Sequence, residues 1–346
     1  WRWIKNGASP LRDRSKMRWL VCVDGSDLAL KTLKVASTFI RAARNTEDGD
    51  ELSLVHVHDD SVPQPIHRSA SHIEHLMDVE MLKCRHAIEA STGKGLTTSY
   101  HALPQTPQSG KIGVRDALED FTQMATQTRP VMVFMGSWGN AGEKIDALGT
   151  LTDGLVCLTK TSIVVVKNTA PAPDPVEGTK FLVCIDGSDD SFNAAWWIRR
   201  LAKPQDTLDC LLGVREGELI SSEEPHSVLE RLENKLRSAR EDGKVLPTTR
   251  TMIMHNMISS SVGAQLCEEA QRCEADFIVV ASRGLNHCPR FGQVLDHTVG
   301  SVSLYIAHHS RVHCIIMKPC TWPVKALPST PATTKSVLSK RASALF

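Results

Sequence analysis

The chain has 346 residues, 41% hydrophobic and 23% charged, which is a globular composition, too long for one ordinary domain and unlike a fibrous or wholly disordered protein. Forty basic against thirty-nine acidic side chains leave a formal net charge of +1, so no long-range field draws the protein to nucleic acid or to an anionic membrane. The apolar runs have the length of buried strands, and none approaches the roughly eighteen residues of a membrane-spanning helix.

Residues 1–17 are basic and carry Trp1 and Trp3, and they read either as a mobile arm or as a short segment packed by its tryptophans. The chain starts at Trp1 rather than Met, as a fragment or a processed form would. From residue 18 to 168, short β-branched runs alternate with helix-period segments. Trp19–Val23, Leu52–Val57, Thr97–Ala102, Val131–Met135 and Ser162–Val166 read as strands. Helices are expected from an Asp27 N-cap through Ala43, and over Ile73–Ala90, Val114–Thr126 and Leu151–Thr159.

The stretch Leu20-Val-Cys-Val-Asp-Gly-Ser-Asp27 then returns as Leu182-Val-Cys-Ile-Asp-Gly-Ser-Asp189, offset by 162 residues, which marks an internal repeat. Between the copies, residues 169–179 contain alternating prolines that disfavour helix and central strand, and form the linker. The second unit, 180–319, repeats the order. Its strands are expected near Phe181–Ile185, Leu208–Val214, Thr249–Met254, Phe277–Ala281 and Val312–Met317, and its helices near Asp190–Leu201, Ser227–Glu241, Val262–Cys273 and Val299–His309. Residues 320–346 turn to Lys, Ser, Thr, Ala and Pro and read as a disordered tail.

Alternating strands and helices with apolar strands imply parallel pairing, because a parallel neighbour needs a crossover helix. The fold class is therefore α/β, with two tandem doubly wound domains, each a five-stranded parallel sheet flanked by helices. The last strand of each sheet would be a bare apolar edge, so the two are expected to pair with each other across an approximate two-fold axis, as an intramolecular pseudo-dimer.

In such sheets ligands sit beyond the carboxyl ends of strands where the strand order reverses. Asp24 and Asp186 end the first strand of each repeat, where a carboxylate can accept from ribose hydroxyls and the following glycine permits a tight turn. An ordinary helix-entry turn uses the same residues. More telling is Gly136-Ser-Trp-Gly139, followed after nine residues by Gly149-Thr150 at a helix start. Glycine backbone approaches an anion closely, and helix-start amides favour phosphate. Neither the Walker nor the dinucleotide spacing is present.

Val21-Cys-Val-Asp-Gly-Ser26 together with Gly136-x2-Gly139-x9-Gly149-Thr150 resembles the ATP-binding pattern of the universal stress protein family, over nearly all of 18–168 and 180–319. The resemblance implies a Rossmann-like fold of the adenine nucleotide alpha hydrolase type. It also implies an ATP or other adenine-nucleotide site with Mg²⁺ or Mn²⁺ assisting. In that site Cys22 and Asp24 lie beside the ribose or adenine, the backbone of Val57 meets adenine, and Gly136, Ser137, Gly139, Gly149 and Thr150 take the phosphates, with Leu151 and Thr152 beside them.

The second repeat keeps Asp186, Val214, Gly284, Gly300 and Ser301 in type. It replaces Gly136 by Ala281 and puts fifteen residues, not nine, ahead of Gly300. Its site is therefore expected to bind more weakly or not at all.

The remaining polar residues point to simpler roles. His56, His58, His67, His72, His75, His308, His309, His313 and Cys314 give no complete metal-ligand spacing, and His308-His309 reads as a helix end where imidazole meets the last carbonyls. Ten scattered cysteines without a CxxC pair read as reduced, buried thiols of a cytoplasmic protein, and Cys22 and Cys184 taken alone are core residues. No nucleophile with an identifiable base is found, so slow ATP hydrolysis is the most catalysis expected. Two functions stay open: a nucleotide-binding regulatory, stress-response protein, free to form homo-oligomers and without nucleic-acid or membrane partners, or an interaction scaffold that keeps the fold without useful nucleotide binding.

Overall fold

The computed structural model describes residues 18–39, 51–58, 70–92, 96–104, 132–138, 148–159, 161–174, 177–215, 224–237, 247–257, 262–284 and 299–319. The helix expected over Val114–Thr126, Gly139, positions 285–298, the N-terminal arm and the tail beyond 319 lie outside the described residues.

The first unit contains β1 (Arg18–Cys22), α1 (Asp27–Phe39), β2 (Glu51–His58), α2 (Ala70–Thr92), β3 (Thr97–Pro104), β4 (Met132–Gly136), α3 (Thr150–Leu158) and β5 (Ser162–Val166). The second contains β6 (Lys180–Ile185), α4 (Asp189–Leu201), β7 (Thr207–Arg215), α5 (Pro225–Arg237), β8 (Thr248–Met257), α6 (Val262–Arg272), β9 (Phe277–Ala281), α7 (Ser301–His309) and β10 (His313–Met317). Helix α5 starts two residues ahead of the expected Ser227, at Pro225, where a missing N–H costs nothing.

These strands form one ten-stranded sheet in the order β3-β2-β1-β4-β5-β10-β9-β6-β7-β8. Each half is parallel, and the halves meet where β5 and β10 pair antiparallel, with Cys314 opposite Val165, Ile315 opposite Val164 and Ile316 opposite Ile163. Every residue of β5, β9 and β10 is buried, as near-continuous Val and Ile runs at the centre of a two-faced sheet require. No helix among the described residues is long and apolar enough to cross a membrane.

The period of two along each strand divides the core. Trp19, Val21, Phe134, Val164, Phe181 and Val183 face α1, α2, α4 and α5 on one side, while Leu20, Val133, Ile163, Leu182 and Ile278 face α3, α6 and α7 on the other. The first of these cores runs across the junction. Phe39 at the end of α1 lies 5.5 Å from Phe134 of its own domain, and 5.8 and 5.1 Å from Phe181 and Phe277 of the other. The linker is likewise laid onto the second domain. Ala170 is buried, Thr169 Oγ1 donates to Arg311 O at 3.0 Å, and His313 Nε2 donates to Pro171 O at 2.9 Å.

Candidate functional site

In each half the strand order reverses beside the first strand, between β1 and β4 and between β6 and β9. The carboxyl ends of those strands therefore bring Asp24 next to Gly136 and Asp186 next to Ala281.

Both Asp-Gly-Ser turns close in the same way. Ser26 donates from its backbone N–H and its hydroxyl to Asp24 Oδ1, at 3.0 and 2.6 Å, and Ser188 does the same to Asp186 Oδ1 at the same distances. The turn needs a left-handed residue, and glycine supplies it with φ of 77° at Gly25 and 84° at Gly187. The serine hydroxyls then accept from Ala29 N–H at 3.2 Å and Ser191 N–H at 3.1 Å. The N-cap of α1 is therefore Ser26 and not Asp27, because the hydroxyl already held by Asp24 is aimed back at the first helical turn. The second oxygen of Asp186 faces Gly284, where a Cβ would lie 2.6 Å from Oδ2, so only glycine lets the chain pass this close to the carboxylate.

The turns after β4 and β9 are also a matched pair. Ser137 N–H donates to Val166 O and Gly149 N–H to Ser137 O, while Ser282 N–H donates to Met317 O and Gly300 N–H to Ser282 O, all between 2.7 and 2.9 Å. Gly149 and Gly300 are the N-caps of α3 and α7, at φ −60° and −67°, and neither helix start has a side-chain cap. Gly149 therefore spends its own amide internally, and the N–H groups left without an intrahelical partner are those of Thr150, Leu151 and Thr152. The Thr152 hydroxyl donates to Gly136 O at 2.9 Å and pins the first turn of α3 to the strand end, and Ser303 does the same to Ala281 O at 2.7 Å. The Ser303 role went unread in the sequence although it stands three residues after Gly300, as Thr152 does after Gly149.

Glycine at 136 has a local reason. A Cβ there would come within 2.8 Å of Leu28 Cδ2 and 3.1 Å of Trp138 O. In the second repeat Asp190 occupies the position of Leu28, and Ala281, buried and without positive φ, fits.

The third wall is the backbone of β2. Val55 O accepts from Val23 N–H at 2.9 Å, so alternate residues of β2 turn their N–H and C=O toward β1. Val57 is the next of these, beyond Cys22↔Val55, the last paired position, and its backbone faces the place where β1 turns away at Asp24. In the second half Arg18↔Glu51 is matched by Lys180↔Thr207, which puts Gly213 at the position of Val57. Val214 sits instead at an irregularity of the β7 ladder and packs on the core.

Burial, with the Asp24 charge adding, pushes the Cys22 thiol up to about 12, and burial holds Cys184 well above the usual thiol range. Both stay protonated at neutral pH and are poor nucleophiles. Among the described histidines, His56 Nδ1 lies 3.2 Å from Tyr100 OH, His308 Nε2 lies 3.0 Å from Asp153 Oδ1, and the His309 ring lies 4.2 Å from the Tyr305 ring, tilted by 34°. The Ala307 and His308 carbonyls that end α7 are met by Lys167 of the first domain. Among the described residues no three His, Cys, Asp or Glu side chains gather as a metal site.

The model of the universal stress protein family matches residues 17–167 and 178–318. The chain belongs to this family. Two copies of the universal stress protein fold thus account for both halves of the sheet, and no curated protein matches the chain. A universal stress protein from Archaeoglobus fulgidus DSM 4304 is similar to it in fold, at 15% identity and a TM-score of 0.54, with 87% of this chain and 98% of that chain covered. A functionally unknown protein from Pseudomonas aeruginosa PAO1 is similar at 13% identity and a TM-score of 0.51, with 88% and 93% covered. A universal stress protein solved in complex with cAMP is 20% identical, with 41% of this chain and 97% of that chain covered and a TM-score of 0.30.

Proposed function

We propose that this chain is a cytoplasmic, regulatory stress-response protein whose signal is an adenine nucleotide, ATP foremost, bound in the first domain. The observation that supports this best is a contrast between helix starts. Those of α1 and α4 are closed by Ser26 and Ser188, whereas those of α3 and α7, at the switch points, have no side-chain cap. An anion at such a start meets unpartnered amides and the positive end of the helix dipole.

In this reading the amides of Thr150, Leu151 and Thr152 receive the phosphates, and Gly136, Gly139 and Gly149, without side chains, leave room for them to approach. Asp24 takes the ribose, beside Cys22, and the backbone of Val57 meets adenine. Mg²⁺ or Mn²⁺ would arrive with the phosphates, as such ions are usually held by one or two carboxylates and the nucleotide rather than by a protein cage. Asp186, Gly284, Gly300 and Ser301 frame a weaker second site. The turn hydrogen bonds at Ser188, Ser282, Gly300 and Ser303 repeat those of the first site, and the weaker binding is assigned to the differences that remain: Ala281 for Gly136, the ladder irregularity between Gly213 and Arg215, and six more residues ahead of Gly300 than ahead of Gly149.

Gly149→Val is the sharpest test. The backbone angles at 149 suit any residue, and a Cβ there meets nothing closer than Ser137 O at 3.5 Å, so the variant should fold. Calorimetry should show ATP binding in the parent, lost in Gly149→Val and weakened in Asp24→Ala, and denatured parent should release an adenine nucleotide. A parent that binds none, or variants that bind as the parent does, would reject the reading in favour of an interaction scaffold.

A further inference from the structure

The two uncapped helices are each held at the opposite end by the other domain. Lys318, just after β10, donates through Nζ to Val156 O at 2.7 Å in the last turn of α3. Lys167, just after β5, donates through Nζ to Ala307 O at 2.6 Å and His308 O at 3.0 Å in the last turn of α7. The positions are equivalent: Lys167 and Lys318, Val156 and Ala307, and Gly149 and Gly300 are all 151 residues apart. The backbone crosses in the same sense, with Lys318 N–H donating to Ser162 Oγ at 3.0 Å and Lys167 N–H to His313 Nδ1 at 3.1 Å.

Both lysines are buried, at 7% and 5% exposure. An ammonium taken out of water is costly, and an apolar side chain of similar length would pack at this junction without that cost. What the cation supplies is a donor at the carbonyl end of a helix, where the last C=O groups have no intrahelical partner and the dipole is negative. Each of these helices is only nine residues long, and its first turn is tied to the sheet by Thr152 or Ser303. A helix this short moves as one piece, so fixing its last turn also fixes the amides that open it.

We infer that Lys318 and Lys167 are crosswise positioning residues: Lys318 of the second domain aligns the phosphate-facing helix of the first, and Lys167 of the first aligns that of the second. Each site is then complete only in the presence of the other domain. What the sites hold rests on the proposed nucleotide reading, while the crosswise support does not.

The test uses the full chain with Lys318→Met, Lys167→Met and the charge-retaining Lys318→Arg, read by hydrogen exchange of α3 and α7 and by ATP calorimetry. Lys318→Met should speed exchange in α3 about tenfold with α7 unchanged and weaken ATP at the first site about fivefold. Lys167→Met should loosen α7 and leave α3 and the first site as they were. Lys318→Arg should restore most of the protection, and it carries the comparison if Lys318→Met fails to fold. A parent that binds no ATP but shows the crossed exchange pattern would sink the nucleotide reading and uphold the positioning roles. Equal loosening of both helices by either variant, or no change in α3 with Lys318→Met, would overturn the inference.

Discussion

Acid should open the junction between the domains through one histidine. His313 begins β10, is fully buried, accepts Lys167 N–H at Nδ1 and donates from Nε2 to Pro171 O, which fixes the neutral tautomer. Burial pushes its pKa down from 6.5 to about 4, with the charges of Lys31 and Lys167 adding and the Pro171 carbonyl opposing. The folded state therefore holds this proton less tightly than the unfolded chain. The stability it contributes is complete above pH 6.5 and is lost as the pH falls toward 4. For that interval the linkage gives a loss of about 2–3 kcal/mol by pH 4.5. Urea unfolding of the parent and of His313→Gln, each at pH 7 and pH 4.5, isolates the contribution because all other groups titrate in both. Gln offers a donor and an acceptor but no proton equilibrium. The parent should lose about 2–3 kcal/mol more than the variant on acidification. Equal losses, or an imidazole seen by NMR to titrate near 6.5, would show that the burial argument is wrong.

Other outcomes follow from single contacts. Phe39→Ala removes an aromatic shared by both halves of the core and should cost about 3–5 kcal/mol, measured by urea unfolding and felt in both domains at once. Gly136→Ala drives a Cβ toward Leu28 and should cost about 1–3 kcal/mol in thermal unfolding, an effect that Leu28→Ala in the same chain should largely remove. Ser26→Ala and Ser188→Ala each delete an N-cap and should cost about 1 kcal/mol, with exchange accelerated in the first turn of α1 or α4.

The architecture was legible because the Asp-Gly-Ser repeat and the strand periodicity are local signals, and β5 and β9 were read to the residue. The candidate site is legible in the sequence only as residue types. Choosing between Ser26 and Asp27 as cap depends on which oxygen the Asp24 carboxylate leaves facing the helix, and both residues are good caps in isolation. Choosing between Gly213 and Val214 depends on strand register, where one residue reverses the side the backbone faces. Lys167 and Lys318 gave no signal at all, since each acts on a helix in the other domain and a lysine after an apolar strand reads as the surface.

The antiparallel seam also has a consequence for how the protein is made. Strand β10 is the last described strand of the chain, yet it lies at the centre of the sheet, between β5 and β9. During synthesis the first domain can complete its five strands while β5, apolar from Ile163 to Val166, stays an open edge until the second domain has followed. An edge of that kind recruits whatever strand is nearest, including β5 of a neighbouring nascent chain. Aggregation on expression should therefore track how long translation takes to pass from residue 167 to residue 317. Substitutions that slow the second domain's folding would lower the yield of native protein without touching the stability of the finished sheet.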